Sequence, residues 1–246
     1  THPINHQTAG WWPFQDGGGT TIHEITGQND NGTFTNGDPA TDWSSSKYGY
    51  CLDFDASNDY GTVTEMQFLT ADAWTVSMWY KGTESGTTST IGRPLWSWDN
   101  GGSITGSMSL TGGKFYFPHY ESGWKSTFQS ATSVDDDVWH HLCFTNNNDV
   151  GWMYVDGVLE DTESSKIDYG PNLFLRLEFF MYGVHGGSQF TAGKLCNCRT
   201  WRRQLDSGEV QDLHDDPWIG LRKRRRKRYI PVAVPSTYTP QVMAFF

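Results

Sequence analysis

The chain has 246 residues, of which 15% are aromatic (12 are Trp) and only 19% are charged, with 27 Gly and a formal net charge of -10. That length suits one large all-β domain or two small ones, and so many flat rings and turn-formers argue against long solvated helices. The charge is uneven: Arg222 to Arg228 reads RKRRRKR and holds seven of the 18 Lys and Arg, leaving the rest at about -17. An acidic body repels nucleic acid and anionic membranes, so nucleic acid is not an expected partner. No apolar run approaches the ~20 residues of a membrane-spanning helix, and no signal peptide is visible. Synthesis in a cytoplasm without export is therefore expected; Thr1 fits removal of an initiator Met, or a trimmed chain.

In chain order, strand signals dominate. Trp74 to Lys81 alternates, with Trp74, Val76, Met78 and Tyr80 on one face. Trp139 to Thr145 and Trp152 to Val155 read as a paired hairpin. Leu173 to Tyr182 reads as one long strand with Leu173, Leu175, Leu177, Phe179 and Met181 on one face. The dipeptides Asn31-Gly32, Asn36-Gly37, Asn100-Gly101 and Asp156-Gly157 mark turns between such runs. Short strands with turns at these intervals predict an all-β sandwich or barrel. One short helix is predicted, with Asp206 as N-cap, Glu209 closing a capping box, and Val210 and Leu213 as its apolar edge.

The last segment differs. Residues 219–246 contain no acidic residue and follow a body spanning 1–218. After the basic run Arg222, Lys223, Arg224, Arg225, Arg226, Lys227, Arg228 come Tyr229, Ile230, Val232 and Val234, interrupted by Pro231 and Pro235. Proline forbids a regular helix there, and an extended apolar arm is costly to leave in water. The arm is expected to pack on its own body or on a neighbour, making an assembly anchor and a homo-oligomer the natural reading.

Four cysteines (Cys51, Cys143, Cys196 and Cys198) are too few for a disulfide scaffold, so free thiols are expected, with one bridge from Cys51 to the later pair as the alternative. His140 and His141 are adjacent on a strand and point to opposite faces, so they cannot share an ion; one buried and one exposed ring are expected.

Several segments together resemble a known family. Trp12-Pro13-Phe14, then Asp16-Gly17-Gly18-Gly19-Thr20, lead to Gly49-Tyr50-Cys51-Leu52-Asp53-Phe54-Asp55 and Asn58-Asp59-Tyr60. Trp74 to Trp79, then Trp139-His140-His141-Leu142 with Trp152 to Gly157, and finally Gly193-Lys194-Leu195, Trp201 and Leu205 to Val210 complete the series. In order and spacing they resemble concanavalin A-like, laminin-G-type (pentraxin-like) jelly rolls over roughly Trp12 to Val210. The resemblance implies a two-sheet antiparallel jelly-roll sandwich, six or seven strands to a sheet, with the termini close together. Such domains mostly bind glycans or proteins, often through a calcium site on a loop rim, but fold does not fix function. Asp215-Asp216-Pro217-Trp218, the basic run and Tyr229-Ile230-Pro231-Val232 also resemble the ends of laminin-G-like proteins encoded by tailed phages. That likeness implies a virion or particle-surface component with decoration or adhesion roles.

Candidate chemistry follows. Sugars stack on aromatic rings beside polar groups, and Trp98, His119, Tyr120 and Trp124 are the candidates for exposed glycan-binding rings in the aromatic stretch 96–124. For calcium, Asp99 and Asn100 loosely match the first half of the pentraxin-type pattern. The second half, Tyr182 to Ser188, carries no carboxylate and departs from it. Some members of the fold hydrolyse glycosides with two carboxylates on alternate strand residues, about 5–9 Å apart. Glu160-Asp161-Thr162-Glu163 has the wrong spacing. The expected function is thus a non-catalytic lectin-like binding module on a particle. A free calcium-dependent lectin is the alternative, with a glycoside hydrolase behind it.

Overall fold

The computed structural model describes residues 2–64, 73–84, 93–99, 104–120, 124–147, 149–164, 176–179, 181–182 and 189–221. A 3-10 turn at Pro3–Asn5 is followed by β1 (Thr8–Trp12), β2 (Thr21–Ile22), β3 (Gly32–Thr35), β4 (Trp43–Ser46), β5 (Gly49–Asp55), β6 (Tyr60–Thr64) and β7 (Trp74–Lys81). Then come β8 (Arg93–Asp99), β9 (Ile104–Thr111), β10 (Lys114–Tyr120), β11 (Trp124–Ser133), β12 (His140–Asn146), β13 (Gly151–Val155) and β14 (Val158–Glu163). The chain closes with β15 (Arg176–Phe179), β16 (Met181–Tyr182), β17 (Gln189–Phe190), β18 (Ala192–Trp201) and the helix α1 (Ser207–Asp215).

Two antiparallel sheets face each other. The first runs β14-β13-β12-β7-β18-β5-β4, with β1 also paired to β18; the second runs β11-β10-β9-β8-β15-β6-β3-β2. Each has eight strands among the described residues, more than the six or seven implied by the resemblance, because short strands such as β2 and β4 extend the edges. The stretch read as one long strand is divided. Arg176–Phe179 lies in the second sheet between β8 and β6, whereas Met181–Tyr182 pairs with β17 in a small ribbon. Leu173 and Leu175 lie outside the described residues.

The core between the sheets is aromatic. Phe144 on β12 stacks on Phe117 of β10 with ring centroids 3.8 Å apart, and Phe128 meets Phe144 edge-on at 4.9 Å. Trp12, Trp96, Phe14 and Phe179 form a second knot at centroid separations of 5.2 to 6.3 Å. Each such ring contributes about 1.5–3 kcal/mol on burial, plus a preference for stacked or edge geometry.

The outer face of the first sheet is also covered, and this alters the alternation expected of β7 and β12. Both strands are buried along their lengths save Lys81. Ile4, Cys143, Tyr154, Trp201, Leu205, Val210 and Leu213 form a second apolar cluster under α1. The helix starts as predicted: the Asp206 carboxylate accepts from the Glu209 backbone N–H at 2.9 Å, and the Glu209 carboxylate accepts from Asp206 N–H at 3.2 Å. Arg203 holds Glu209 through two short bonds of 2.6 and 2.7 Å. The two ends of the body meet on this face, where Trp201 Nε1 donates to the Ile4 carbonyl at 2.7 Å and Asn5 Nδ2 donates to the Gly220 carbonyl at 3.0 Å.

Candidate functional site

The strand ends at Thr64, Asp99, Ile104 and Arg176 come together in the second sheet: Asp99 pairs with Ile104 and Arg176, and Arg176 pairs with Thr64. At the same end, Trp98 lies opposite Gly106, Gly106 lies opposite His119, and Tyr120 lies opposite Trp124. The backbone therefore gathers all four aromatic candidates onto two neighbouring rows, and Gly106 adds no side chain between Trp98 and His119. The side chains of these four residues and of Asp99 lie outside the described residues, as does the whole of Asn100. The arm candidates Arg222, Lys223, Arg224, Arg225, Arg226, Lys227, Arg228, Tyr229, Ile230, Val232 and Val234 lie outside them too. Among the described residues, no group of three or more His, Cys, Asp or Glu is arranged to hold a metal ion.

The carboxylates weighed for hydrolysis do mechanical work instead. Glu160 accepts from the backbone N–H of Ala131 and Thr132 at 2.6 and 2.8 Å and from the Thr132 hydroxyl at 2.5 Å. Asp161 accepts from Gln129 N–H at 3.0 Å. These bonds tie β14, the edge of the first sheet, to β11, the edge of the second, and occupy donors that an open edge would present to another chain.

The histidine pair corrects the expectation of one exposed ring: both are buried. His140 is held between Asp156 at 2.8 Å and Asp136 at 3.1 Å. Those two carboxylates outweigh the burial that opposes its charge, and its pKa is raised. His141 lies under α1, its Nε2 2.8 Å from Ser77 Oγ and its ring centroid 5.3 Å from that of Trp79 and 6.2 Å from that of His214. Burial, reinforced by His214, pushes it down to about 3. The four cysteines are buried and unpaired, as the first of the two expectations had it. Burial raises each thiol pKa, so none resembles an activated nucleophile.

Three features had weak sequence signals. Asp59 follows the Ala56 turn, is buried, and accepts from Asp55 N–H at 3.1 Å; burial and the neighbouring Asp55 carboxylate push it up to about 7. Arg199 is a fully buried cation whose guanidinium lies 3.7 Å from the Trp11 ring centroid and 4.9 Å from that of Trp201. It donates to the Ile219 carbonyl at 3.0 Å and to Asn5 Oδ1 at 3.2 Å, and burial lowers its pKa to about 9. Beside it opens a cleft of about 560 Å³ between β1, the bend at 25–28 and Leu221. Gln7 and Gln28, which line it, belong to no strand pattern, and nothing in the sequence pattern marks a site there.

Comparison with solved structures places the fold. The binding domain of Paraclostridial Mosquitocidal Protein 1 superposes with a TM-score of 0.70 at 15% identity, over 88% of this chain and 53% of that one. The binding domain of Botulinum Neurotoxin DC in complex with SialylT gives 0.66 at 14%, over 86% and 52%. The chain thus spans about half the length of these toxin domains. It covers 98% of domain 4 of AbnA, a GH43 extracellular arabinanase from Geobacillus stearothermophilus in complex with arabinotriose, at a TM-score of 0.65 and 16% identity over 85% of this chain. At such identities the likeness shows the fold alone. No curated protein matches the sequence. A laminin-G family model matches residues 55–211, more than half of the chain, and the protein therefore belongs to the concanavalin A-like lectin/glucanases superfamily.

Proposed function

We propose that this chain is a non-catalytic, lectin-like binding module that takes glycans at the strand end bearing Trp98, His119, Tyr120 and Trp124. The observation that carries the reading is the register that sets Trp98 and His119 on one row of the second sheet, across Gly106, with Tyr120 and Trp124 as the last pair of the next row at the same strand end. Rings and polar neighbours close together are what saccharide recognition requires. Folds similar to this one include toxin binding domains and an arabinanase domain in complex with arabinotriose, which supports binding over turnover. The engagement of Glu160 and Asp161 by backbone N–H groups supports the same conclusion. As the setting we propose a decoration or adhesion protein on a virion or similar particle, anchored as an oligomer by residues 219–246, whose basic run complements the acidic body.

The test is a glycan array probed with the full chain, with and without calcium, followed by titration of the best saccharide. Trp124→Ala and Trp98→Ala should each weaken binding at least tenfold without changing the melting temperature; unchanged affinity in both would sink this site. Hydrolysis of the bound saccharide would sink the non-catalytic reading. For anchoring, the solution mass of the full chain should fall when Arg224, Arg225 and Arg226 are changed to Glu; an identical mass overturns self-association through the arm.

A further inference from the structure

We infer that the cleft beside the two ends of the body is a saccharide site in its own right, separate from the aromatic strand end. It is built on β1 and the exit of β18 in the first sheet, whereas Trp98, His119, Tyr120 and Trp124 belong to the second. Its volume of about 560 Å³ falls within the roughly 300–1,000 Å³ of small-molecule sites.

The walls are fixed in advance. The Glu24 carboxylate accepts from Trp11 N–H at 2.8 Å, Thr26 N–H at 3.0 Å and Gly27 N–H at 2.6 Å, which sets the bend that carries Ile25 and Gln28. On the other side, Arg202 N–H donates to the Gln7 carbonyl at 2.9 Å, and Asn5 bridges Gly220 and Arg199. Trp11 is pinned through its Nε1, which donates to Asn197 Oδ1, and by the Arg199 guanidinium over its ring. The backbone of the walls needs little ordering when a ligand arrives, so the ordering cost falls chiefly on the Gln7 and Gln28 side chains.

The lining selects the ligand. Gln7 and Gln28 are exposed, and their side-chain amides make no hydrogen bond to another described residue. Each amide offers two donors and an acceptor, the set that pairs with neighbouring sugar hydroxyls. Ile25 and Leu221, 43% and 57% exposed, supply apolar surface for the C–H face of a ring. Among the described residues Arg202 is the one charged side chain that lines the cleft, and the nearby Glu24 carboxylate is already engaged by three backbone N–H groups, so an ammonium group would find no unengaged carboxylate among them. A peptide adding a strand is excluded, because the free side of β1 is already taken: Ile25 N–H donates to the Trp11 carbonyl at 3.0 Å and Asn29 Nδ2 to the Ala9 carbonyl at 2.6 Å.

The decisive variant is Gln7→Gly with Gln28→Ala in the full chain. Gly suits position 7, whose φ is 57°. Probed on an array of neutral and acidic saccharides, then by titration calorimetry with each hit, the double variant should lose at least tenfold in affinity for one saccharide that Trp98→Ala and Trp124→Ala leave unchanged. Thermal unfolding of the variant checks the fold, and Gln28→Asn should recover part of the affinity. Loss confined to the tryptophan variants overturns the cleft and leaves the strand-end reading standing. Loss confined to the glutamine variants does the reverse. An array on which the full chain binds nothing overturns both.

Discussion

The two faces of the first sheet are both buried, but by different chemistry. The inner face meets the second sheet through Phe144, Met78, Val76 and Leu142, which need only shape and area. The outer face lies under α1 and the two ends of the body and carries Ser77, His141, Asn197, Arg199 and Thr75, each tied to a named partner. An apolar face tolerates repacking within its volume, whereas a buried polar face fails group by group when a partner is lost.

The largest expected effect is on the inner face. Phe144→Ala removes a ring that touches Phe117, Phe128 and Trp74. It should cost about 3–5 kcal/mol in chemical denaturation. If Phe144→Leu costs nearly as much, ring stacking rather than volume carries the face, and the inner face depends on specific partners as the outer one does.

This difference also explains what could be read from the chain. The inner face follows the period of two in β7 and β12, and the Asp156-Gly157 turn with φ of 51° and 80° has the residues its geometry demands, so fold and hairpin were legible. The outer face was not, because its cover comes from segments outside its strands, 20 positions away for Asn197 and Arg199 and 197 for Trp201. Ser77 and His141 have the polarity of surface residues, and only the docking of α1 buries them. Arg199 gives no local sign that Trp11 and Trp201 will enclose it. Of the candidate site, the aromatic stretch could be read but not its row order, which depends on Gly106 falling between Trp98 and His119.

The second expected effect is on the outer face and depends on acid. His141 is held neutral, with a folded value near 3 against an ordinary 6.5. A depressed histidine contributes stability that is present above its unfolded pKa and lost as pH falls from 6.5 through about 3, at most about 1.4 kcal/mol for each pH unit in that window. Urea midpoints measured from pH 7 to 4 should therefore fall less steeply in His141→Gln than in the wild type. A parallel fall would assign acid sensitivity to other groups. Asp59 tilts the opposite way: its raised pKa gives stability that is complete below about 3.8 and lost as pH rises through about 7. Asp59→Asn should accordingly flatten the decline between about pH 4 and 7.

A smaller effect is expected at the seam where neither face is involved. Glu160→Ala removes the acceptor for Ala131 N–H, Thr132 N–H and the Thr132 hydroxyl. Charge-assisted bonds of this kind are worth about 1.5–3 kcal/mol in favourable cases. Glu160 is partly exposed to solvent, which places the expected loss nearer 1 kcal/mol. The sharper readout is amide exchange: Ala131 and Thr132 should lose protection while the amides of β12 keep theirs. Equal loss on β12 would mean that the seam and the sheet open together, so that the carboxylates of β14 hold the sandwich closed as a whole rather than guarding one edge.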